Sequence, residues 1–193
     1  IHAPTLFRSY LGMDSQERFQ LGIADLGHPQ ELFTPKENSL RAFTSQDTPE
    51  IFALINRNRQ HLSQYGDDTA RKYPTVESVL ESIVSPPNPK KRRFGIRTPD
   101  GTLVGSINFT PDKDGSTSRE IGYYIGQEFS GKEYATDAVM RLTEFCLEHT
   151  YTHPYAKVHP DNLASQRVLQ KAGYETDNVV NKEGYIKFTL PKQ

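Results

Sequence analysis

Cysteine is nearly absent from this 193-residue sequence, which contains only Cys146. A single cysteine cannot form a disulfide within the chain, and a sequence without structural disulfides suits the reducing cytosol. No secretory signal is visible at the N-terminus, so we expect a cytoplasmic protein. Cys146 lies on the apolar side of a predicted amphipathic helix, which indicates a core side chain rather than a reactive thiol.

Long apolar runs and a net charge are also lacking. No hydrophobic stretch approaches the roughly 20 residues that a membrane-spanning helix needs, so we expect no membrane insertion. The formal net charge of -1 gives no general field that would attract nucleic acid. One basic run, Lys90–Arg93, follows the loop-forming sequence SPPNP. We interpret it as a solvated loop edge rather than a nucleic-acid site.

The sequence does contain an alternation of short strand and helix patterns. Its length and composition predict a single domain. Residues 1–33 have weak periodicity and several Gly and Pro residues, so we treat them as an N-terminal extension before a domain over residues 34–193. Predicted strands cover residues 39–44, 94–97, 102–110, 120–125 and 155–159, with a terminal hairpin that includes residues 186–190.

Four helices are predicted among these strands. The first extends from Asp47 to about Tyr65, with Asp47 and Glu50 as a capping box and Asn58 on the polar side. The other three begin after Thr75, cover residues 135–149, and extend from about Asn162 to a glycine cap at Gly173.

The sequence GQEFSGKE, residues 126–133, nearly matches the nucleotide-binding loop G-x-x-x-x-G-K-[ST]. Its last position is Glu133, whereas nucleotide hydrolysis needs a Ser or Thr hydroxyl there to bind Mg²⁺. Glu128 adds a second negative charge to the loop, so we reject the ATP-loop interpretation. Another phosphate could still bind, because the unpaired N–H groups of a following helix favour anions.

Three motifs in the second half of the chain carry a family resemblance. They are EIGYYIG at residues 120–126, SGKEYATDAV at residues 130–139 and DNLASQRVLQKAGY at residues 161–174. In this order and spacing they resemble the GNAT superfamily of N-acetyltransferases, and most of all its RimJ/RimL-type branch, which acetylates protein N-termini and small amines. The resemblance covers residues 34–193. It implies an α/β (α+β) fold with a mixed, mostly antiparallel sheet of about six to seven strands and about four flanking helices.

The resemblance also implies where acetyl-CoA, the donor co-substrate, would bind. The strand residues Ile121, Tyr123 and Ile125 would splay from the neighbouring strand and pair their backbone with the pantetheine arm, which Asn162 would also bind. The family binds pyrophosphate through backbone amides in a loop written [QR]-x-x-G-x-[GA]. That loop falls on Ser130, Gly131, Lys132, Glu133, Tyr134 and Ala135. Ser130 and Glu133 depart from the pattern, which predicts weaker coenzyme binding.

For catalysis, the resemblance implies a base and an acid. Glu120 is the candidate base that takes the proton of the amine, and a surface salt bridge is its competing interpretation. Many family members have a Tyr as the acid at the position that Leu169 occupies here. The RimJ/RimL-type pattern instead has a Ser three residues after the Asn, here Ser165, whose hydroxyl can hydrogen-bond the leaving thiolate. Alternatively, Asn162 is only a helix N-cap and Ser165 an exposed first-turn residue.

No metal is predicted. His149, His153 and His159 are close in sequence but do not have a recognisable metal-ligand spacing. The expected partners are acetyl-CoA and an amine acceptor, without nucleic acid or a membrane, and a homodimer is compatible with the sequence.

The favoured function is transfer of an acetyl group to a primary amine by direct attack in a ternary complex. The amine would be a protein or peptide N-terminus or a small molecule. One alternative is a non-catalytic acyl-CoA-binding or regulatory module, which Ser130 and Glu133 suggest. Another is an enzyme that uses a longer acyl donor. The acceptor is not encoded in a recognisable pattern, although Asp67 and Asp68 could either attract a cationic amine or be solvated loop residues.

Overall fold

Six strands form one sheet in the computed structural model of the protein, which describes residues 39–111, 118–148 and 153–191. The predicted extension, residues 1–33, lies outside the described residues. The strands are β1 (Ser39–Ala42), β2 (Arg92–Arg97), β3 (Leu103–Pro111), β4 (Ser118–Ile125), β5 (His153–Val158) and β6 (Ile186–Thr189).

The sheet has the order β1-β2-β3-β4-β5-β6, and each neighbouring pair is antiparallel except β4 and β5. The predicted mixed, mostly antiparallel sheet is therefore confirmed. The parallel pair has only three matched positions, from Ser118–His153 to Glu120–Tyr155. Beyond them β4 continues to Ile125, whereas the rest of β5 pairs only with β6. The two strands thus separate at their C-terminal ends, where ligands commonly bind in open α/β sheets.

Helices cover both faces of the sheet within the described ranges. They are α1 (Thr48–Arg57), α2 (Arg59–Leu62), α3 (Thr69–Lys72), α4 (Val76–Val84), α5 (Tyr134–Glu148) and α6 (Leu163–Lys171). α5 is the crossover that allows β4 and β5 to be parallel. Its side chains Val139, Leu142 and Cys146 are fully buried in the larger apolar core, as their spacing predicts. None of the helices in these ranges is both long enough and apolar enough to cross a bilayer.

The first helix is shorter than predicted. α1 ends at Arg57 because Asn58 leaves helical geometry, with φ −111° and ψ 13°. Asn58 is also buried rather than on the polar side. Its Nδ2 donates to the Leu54 carbonyl (2.9 Å) and its Oδ1 accepts from the Gln127 amide (2.8 Å). The predicted helix to Tyr65 is thus interrupted at Asn58 and resumes only as α2, which ends at Leu62. An Asn side chain that bonds to backbone groups competes with helical hydrogen bonding.

The predicted capping box of Asp47 and Glu50 is also wrong. The Asp47 side chain makes no hydrogen bond to the first turn of α1. It accepts instead from the Thr44 amide (2.7 Å) and from Arg97 Nη2 (2.8 Å), and Glu50 pairs with the same guanidinium. The Arg97 side chain is only 8% exposed. It attracts both carboxylates because a buried charge without a partner is costly.

Part of the basic run Lys90–Arg93 belongs to the fold rather than to a solvated loop edge. Arg93 lies in β2, and its guanidinium carbon is 5.5 Å from the centre of the Phe43 ring and 5.2 Å from that of Tyr73. Arg93 Nη1 also donates to Ser82 Oγ on α4 (2.9 Å). The local sequence does not reveal these contacts, because all three partners are distant in sequence.

Candidate active site

A cleft opens where β4 and β5 separate. Its volume is about 420 Å³, and its described lining comes from residues 61–67, from β4, from the loop of residues 129–136 and from α6. Because β4 pairs with no described strand beyond Glu120 on this side, the edge of residues 121–125 can pair with an extended ligand.

The three strand residues predicted to bind the donor have different surroundings. Tyr123 and Ile125 line the cleft, whereas the Ile121 side chain is buried in the core and 2% exposed. Strand-like pairing uses backbone groups, so the burial of Ile121 does not conflict with its predicted role.

The loop between β4 and α5 has the backbone of an anion-binding site. Gly131 and Glu133 adopt left-handed φ values of 76° and 63°. The amides of residues 131–134 donate no hydrogen bond within the described part of the chain, and α5 begins at Tyr134. Free amides before a helix, with alternating backbone hand, form a concavity that suits phosphate. The left-handed φ also gives a reason for the family's preference for Gly where Glu133 stands.

Charged side chains line the cleft beside this loop. They include Lys132, Arg167 and Lys171 together with Glu133. Glu133 Oε1 lies 2.5 Å from Lys171 Nζ, which connects the loop to the last turn of α6. Hydrogen bonds from Lys171 and Thr136 lower the pKa of Glu133, so this carboxyl is ionised at neutral pH. A phosphate would therefore meet three cations, one of which is already paired.

A hydrogen bond joins β4 to α6 across the cleft. The Tyr123 hydroxyl lies 2.7 Å from Ser165 Oγ and donates to the Ser165 carbonyl at 3.1 Å. Burial raises the pKa of Tyr123, against the opposing effect of the bond with Ser165, so the phenol is protonated at neutral pH. Ser165 is half-buried rather than exposed. Sequence reasoning considered only the backbone of Tyr123, although strand alternation places its side chain on the same face as Ile121.

Asn162 begins α6 and acts as its N-cap, because Oδ1 accepts from the Ser165 amide at 3.1 Å. The residue also lines the cleft, and its Nδ2 donates no hydrogen bond to any described residue. Capping and ligand binding would use different atoms of the amide. The two interpretations of Asn162 are therefore compatible.

Glu120 occupies the last position at which β4 pairs with β5 and is not among the described residues that line the cleft. Its Oε2 accepts from the Tyr155 hydroxyl at 3.3 Å and lies 3.8 Å from Lys157 Nζ. Lys157 also pairs with Glu183 at 2.8 Å. The competing salt bridge is thus present, and any transfer of a proton to Glu120 would have to pass through water.

Three side chains on or just after α5 and α6 belong to the core. Cys146 and Leu169 are 0% exposed and Tyr174 is 2% exposed. Burial raises the pKa of the Cys146 thiol to about 12, and the Tyr174 hydroxyl bonds to Thr143 at 2.6 Å. Among the residues that the structure describes, which exclude His149, no three His, Cys, Asp or Glu side chains are grouped to hold a metal ion.

Solved structures of acetyltransferases share this architecture. RimL, a ribosomal L7/L12 alpha-N-protein acetyltransferase in complex with coenzyme A, matches with a TM-score of 0.68 and 16% identity, covering 82% of this chain and 94% of its own. RimJ of Mycobacterium smegmatis, in complex with CoA-disulfide, matches with a TM-score of 0.65 and 20% identity, covering 79% and 81%. These similarities confirm the predicted fold.

Sequence similarity indicates the same family as the structural similarity. Residues 39–175 match the family model of the acetyltransferase (GNAT) domain. The probable N-acetyltransferase YjcK of Bacillus subtilis (strain 168) is 29% identical over 150 residues, which are 74% of this chain and 83% of the relative. The matched region contains the whole cleft, from residues 61–67 to α6. The chain therefore belongs to the acetyltransferase (GNAT) domain family and is an N-acetyltransferase.

Proposed function

We propose that the protein transfers an acetyl group from acetyl-CoA to a primary amine by direct attack while both substrates are bound. The observation that supports this function is the cleft between β4 and β5, which has an amide-rich loop and the Ser165 hydroxyl in its lining. A free strand edge and a phosphate-binding loop in one cleft suit an extended donor with a pyrophosphate.

The described residues fit acetyl-CoA. The backbone edge of residues 121–125 and Asn162 Nδ2 would hold the pantetheine arm. The amides of residues 131–134 would hold the pyrophosphate, whereas the Ser130 amide already donates to the Gln127 carbonyl at 3.1 Å. Lys132 would add attraction and Glu133 opposition. Bound acetyl-CoA supplies an acetyl group on a thioester, which a neutral amine can attack directly.

Ser165 is assigned to the leaving group. Its hydroxyl can donate a hydrogen bond to the thiolate when the Tyr123 hydroxyl turns its single proton from the Ser165 carbonyl to Ser165 Oγ. Two linked hydroxyls would then stabilise the developing charge. A strong acid is unnecessary, because thiols ionise near pH 8.5. Glu120 is assigned to the amine proton, through water, in competition with its contact to Lys157.

The basicity of the acceptor amine determines how much its reaction depends on a catalytic base. At pH 7 an α-amine with a pKa of about 8 is roughly one tenth neutral, whereas a lysine amine near 10.4 is neutral less than about one part in a thousand. RimL, as a ribosomal L7/L12 alpha-N-protein acetyltransferase, acts on a protein α-amine. For this chain, peptide N-termini and small amines both belong to the proposed acceptor class.

Incubation with acetyl-CoA and a panel of amines, followed by measurement of free CoA thiol, tests the proposal. The panel contains peptides with free N-termini, amino acids and polyamines. Thiol release that depends on any amine supports the function. Tight acetyl-CoA binding without release across the panel would refute it and favour a non-catalytic acyl-CoA-binding module, the alternative that Ser130 and Glu133 suggest. Stronger thermal stabilisation by a larger acyl-CoA would instead indicate a longer donor.

A further inference from the structure

The two sides of the cleft differ in charge. The loop of residues 129–136 and α6 together form a basic wall, whose described lining contains three Lys or Arg side chains and Glu133. Residues 61–67 form an acidic wall, whose described lining contains Asp67 and the imidazole of His61 but no Lys or Arg. The basic wall suits the phosphates of the donor, whereas Asp67 would repel them. The acidic wall is therefore suited to a second substrate of opposite charge.

Asp67 and its neighbour Asp68 differ in their ion pairs. Asp68 pairs with Arg71 at 3.0 Å and with Lys72 at 2.8 Å. Asp67 forms no ion pair with any described residue, and its Oδ1 accepts only from the Thr69 amide at 2.7 Å. A carboxylate on a cleft wall that lacks a counter-charge is a ready partner for a ligand ammonium.

Tyr124 gives independent evidence of a ligand at this wall. The residue lines the cleft, yet its hydroxyl is buried and has no hydrogen-bond partner in the described ranges. Burial raises the pKa of Tyr124, the nearby charge of Arg93 opposes this, and Tyr73 and Asp67 add smaller increases, so the phenol is neutral. Buried hydroxyls without partners are rare and costly. A polar group of a bound molecule would satisfy this one.

Tyr65 adds an aromatic surface to the acidic wall. Its φ of 57° is one that bulky residues rarely adopt, and such strain is common at binding sites. The ring is 5.8 Å from that of His159, which lies 6.3 Å from the ring of Tyr185. These contacts hold the acidic wall against the end of β5. Tyr65 remains 42% exposed, and an exposed ring near a carboxylate attracts cations.

We infer that the acidic wall binds the acceptor and that the acceptor is an amine with a second positive charge. Asp67 and the Tyr65 ring hold the ammonium, and the Tyr124 hydroxyl accepts one of its N–H groups. The inference rests on the proposed function and narrows its acceptors to di- and polyamines. The second, neutral nitrogen forms a bond to the acetyl carbon as the carbon–sulfur bond breaks. One proton passes from that nitrogen to a water molecule and on to Glu120, and the sulfur leaves as the thiolate of CoA.

A matched pair of acceptors and a matched pair of variants test this inference. 1,4-Diaminobutane and n-butylamine have equally long carbon chains and differ in the second ammonium. Asp67→Asn removes the charge but keeps the oxygen that bonds to the Thr69 amide, and Asp68→Asn removes a charge that is already paired. We expect Asp67→Asn to raise the KM for diaminobutane about tenfold, the loss of one charged hydrogen bond. The KM values for butylamine and acetyl-CoA, and all values for Asp68→Asn, should stay within about twofold.

The variant Tyr124→Phe tests whether the Tyr124 hydroxyl contacts the acceptor or only stabilises the fold. Because the hydroxyl has no hydrogen-bond partner in the described part of the chain, its removal should leave Tm unchanged or raise it by about 2 °C. The KM for diaminobutane should nevertheless rise about fivefold. A purely structural hydroxyl would give a lower Tm with no change in KM, and that result would overturn its assignment.

Two results would overturn the inference. One is an equal change in the KM values of both amines on Asp67→Asn. The other is an equal change in the KM for diaminobutane on Asp67→Asn and on Asp68→Asn. If acetyl-CoA binds but the wild type acetylates no amine, the proposed function fails separately. In that case, isothermal titration calorimetry measures whether diaminobutane binds to the complex of the protein with acetyl-CoA. The inference requires that the wild type binds diaminobutane and that Asp67→Asn does not.

Discussion

Replacing Glu133 by Gly changes two properties of the donor loop at once. It removes the carboxylate that pairs with Lys171, and it places a glycine where the backbone has a left-handed φ of 63°. We expect the Kd for acetyl-CoA to fall about fivefold, the effect of one unit charge close to a phosphate in largely aqueous surroundings. We also expect Tm to rise by about 2 °C, because relief of backbone strain outweighs the loss of an exposed ion pair.

Two companion variants separate the charge from the backbone. Glu133→Gln removes the charge but keeps the strained conformation, so it should give most of the gain in affinity without the rise in Tm. Glu128→Gln removes a charge from the same loop. Glu128, however, pairs with Arg57 at 2.5 Å and is not among the described residues that line the cleft. Its replacement should leave the Kd within about twofold of the wild-type value.

Isothermal titration calorimetry with acetyl-CoA at low and high salt provides the measurement. At about 0.5 M NaCl the gain in affinity should shrink, because the Debye length falls to about 4 Å. Wild-type affinity in both the Gly and the Gln variant at low salt would refute the reasoning, since the Glu133 carboxylate would then not act on the phosphates.

Three other side chains give separate tests. Ser165→Ala should lower kcat about tenfold to a hundredfold without changing the Kd for acetyl-CoA, and an unchanged single-turnover rate would exclude Ser165 from the chemistry. Asp47→Asn should lower the free energy of unfolding in urea by about 2 kcal/mol at neutral pH, because Arg97 loses a charged partner. Burial alone would raise the pKa of Asp47, but hydrogen bonds from Thr44 and nearby arginine charges bring it below its ordinary value. The wild-type advantage should therefore be complete above about pH 4 and disappear as the pH falls through the lowered folded pKa; an advantage that persists in stronger acid would contradict this. Cys146, with its pKa raised to about 12, should resist iodoacetamide in the native protein at about pH 8 and react in urea, so rapid native labelling would argue against its burial.

The parts of the fold that could be predicted from the sequence depend on residues close together in the chain. The apolar face of α5 repeats at helical spacing, and Gly173, with φ 86°, follows α6 as a left-handed cap. The three motifs that led to the family lie within residues 120–174 and keep their order without any long-range information.

Prediction failed where a distant residue decides the outcome. Asn58 has the sequence position of a helix-surface residue, but it bonds to Gln127, 69 positions away. Asp47 has the position of a capping residue, but it bonds to Arg97, 50 positions away. Neither partner can be found from the local pattern around α1, because side chains of this kind bond wherever the fold supplies a partner.

In the candidate site, too, local motifs predict some features, and others depend on residues that are distant in sequence. The donor loop and Asn162 could be proposed from motifs, whereas the bond between Tyr123 and Ser165 requires the packing of β4 against α6. Asp67 and Asp68 are adjacent residues of one type, so no sequence pattern distinguishes the paired carboxylate from the unpaired one.

The three matched positions between β4 and β5 join two consecutive parts of the chain. Strands β1–β4 come from residues 39–125, whereas β5, α6 and β6 come from residues 153–191. The donor loop follows the first part, and Asn162 and Ser165 lie in the second. A donor that contacts both parts of the chain links them, so its binding free energy opposes their separation. Stability against unfolding should therefore follow the ratio of free acetyl-CoA to its Kd, and the enzyme should be most resistant to proteolysis when its donor is abundant.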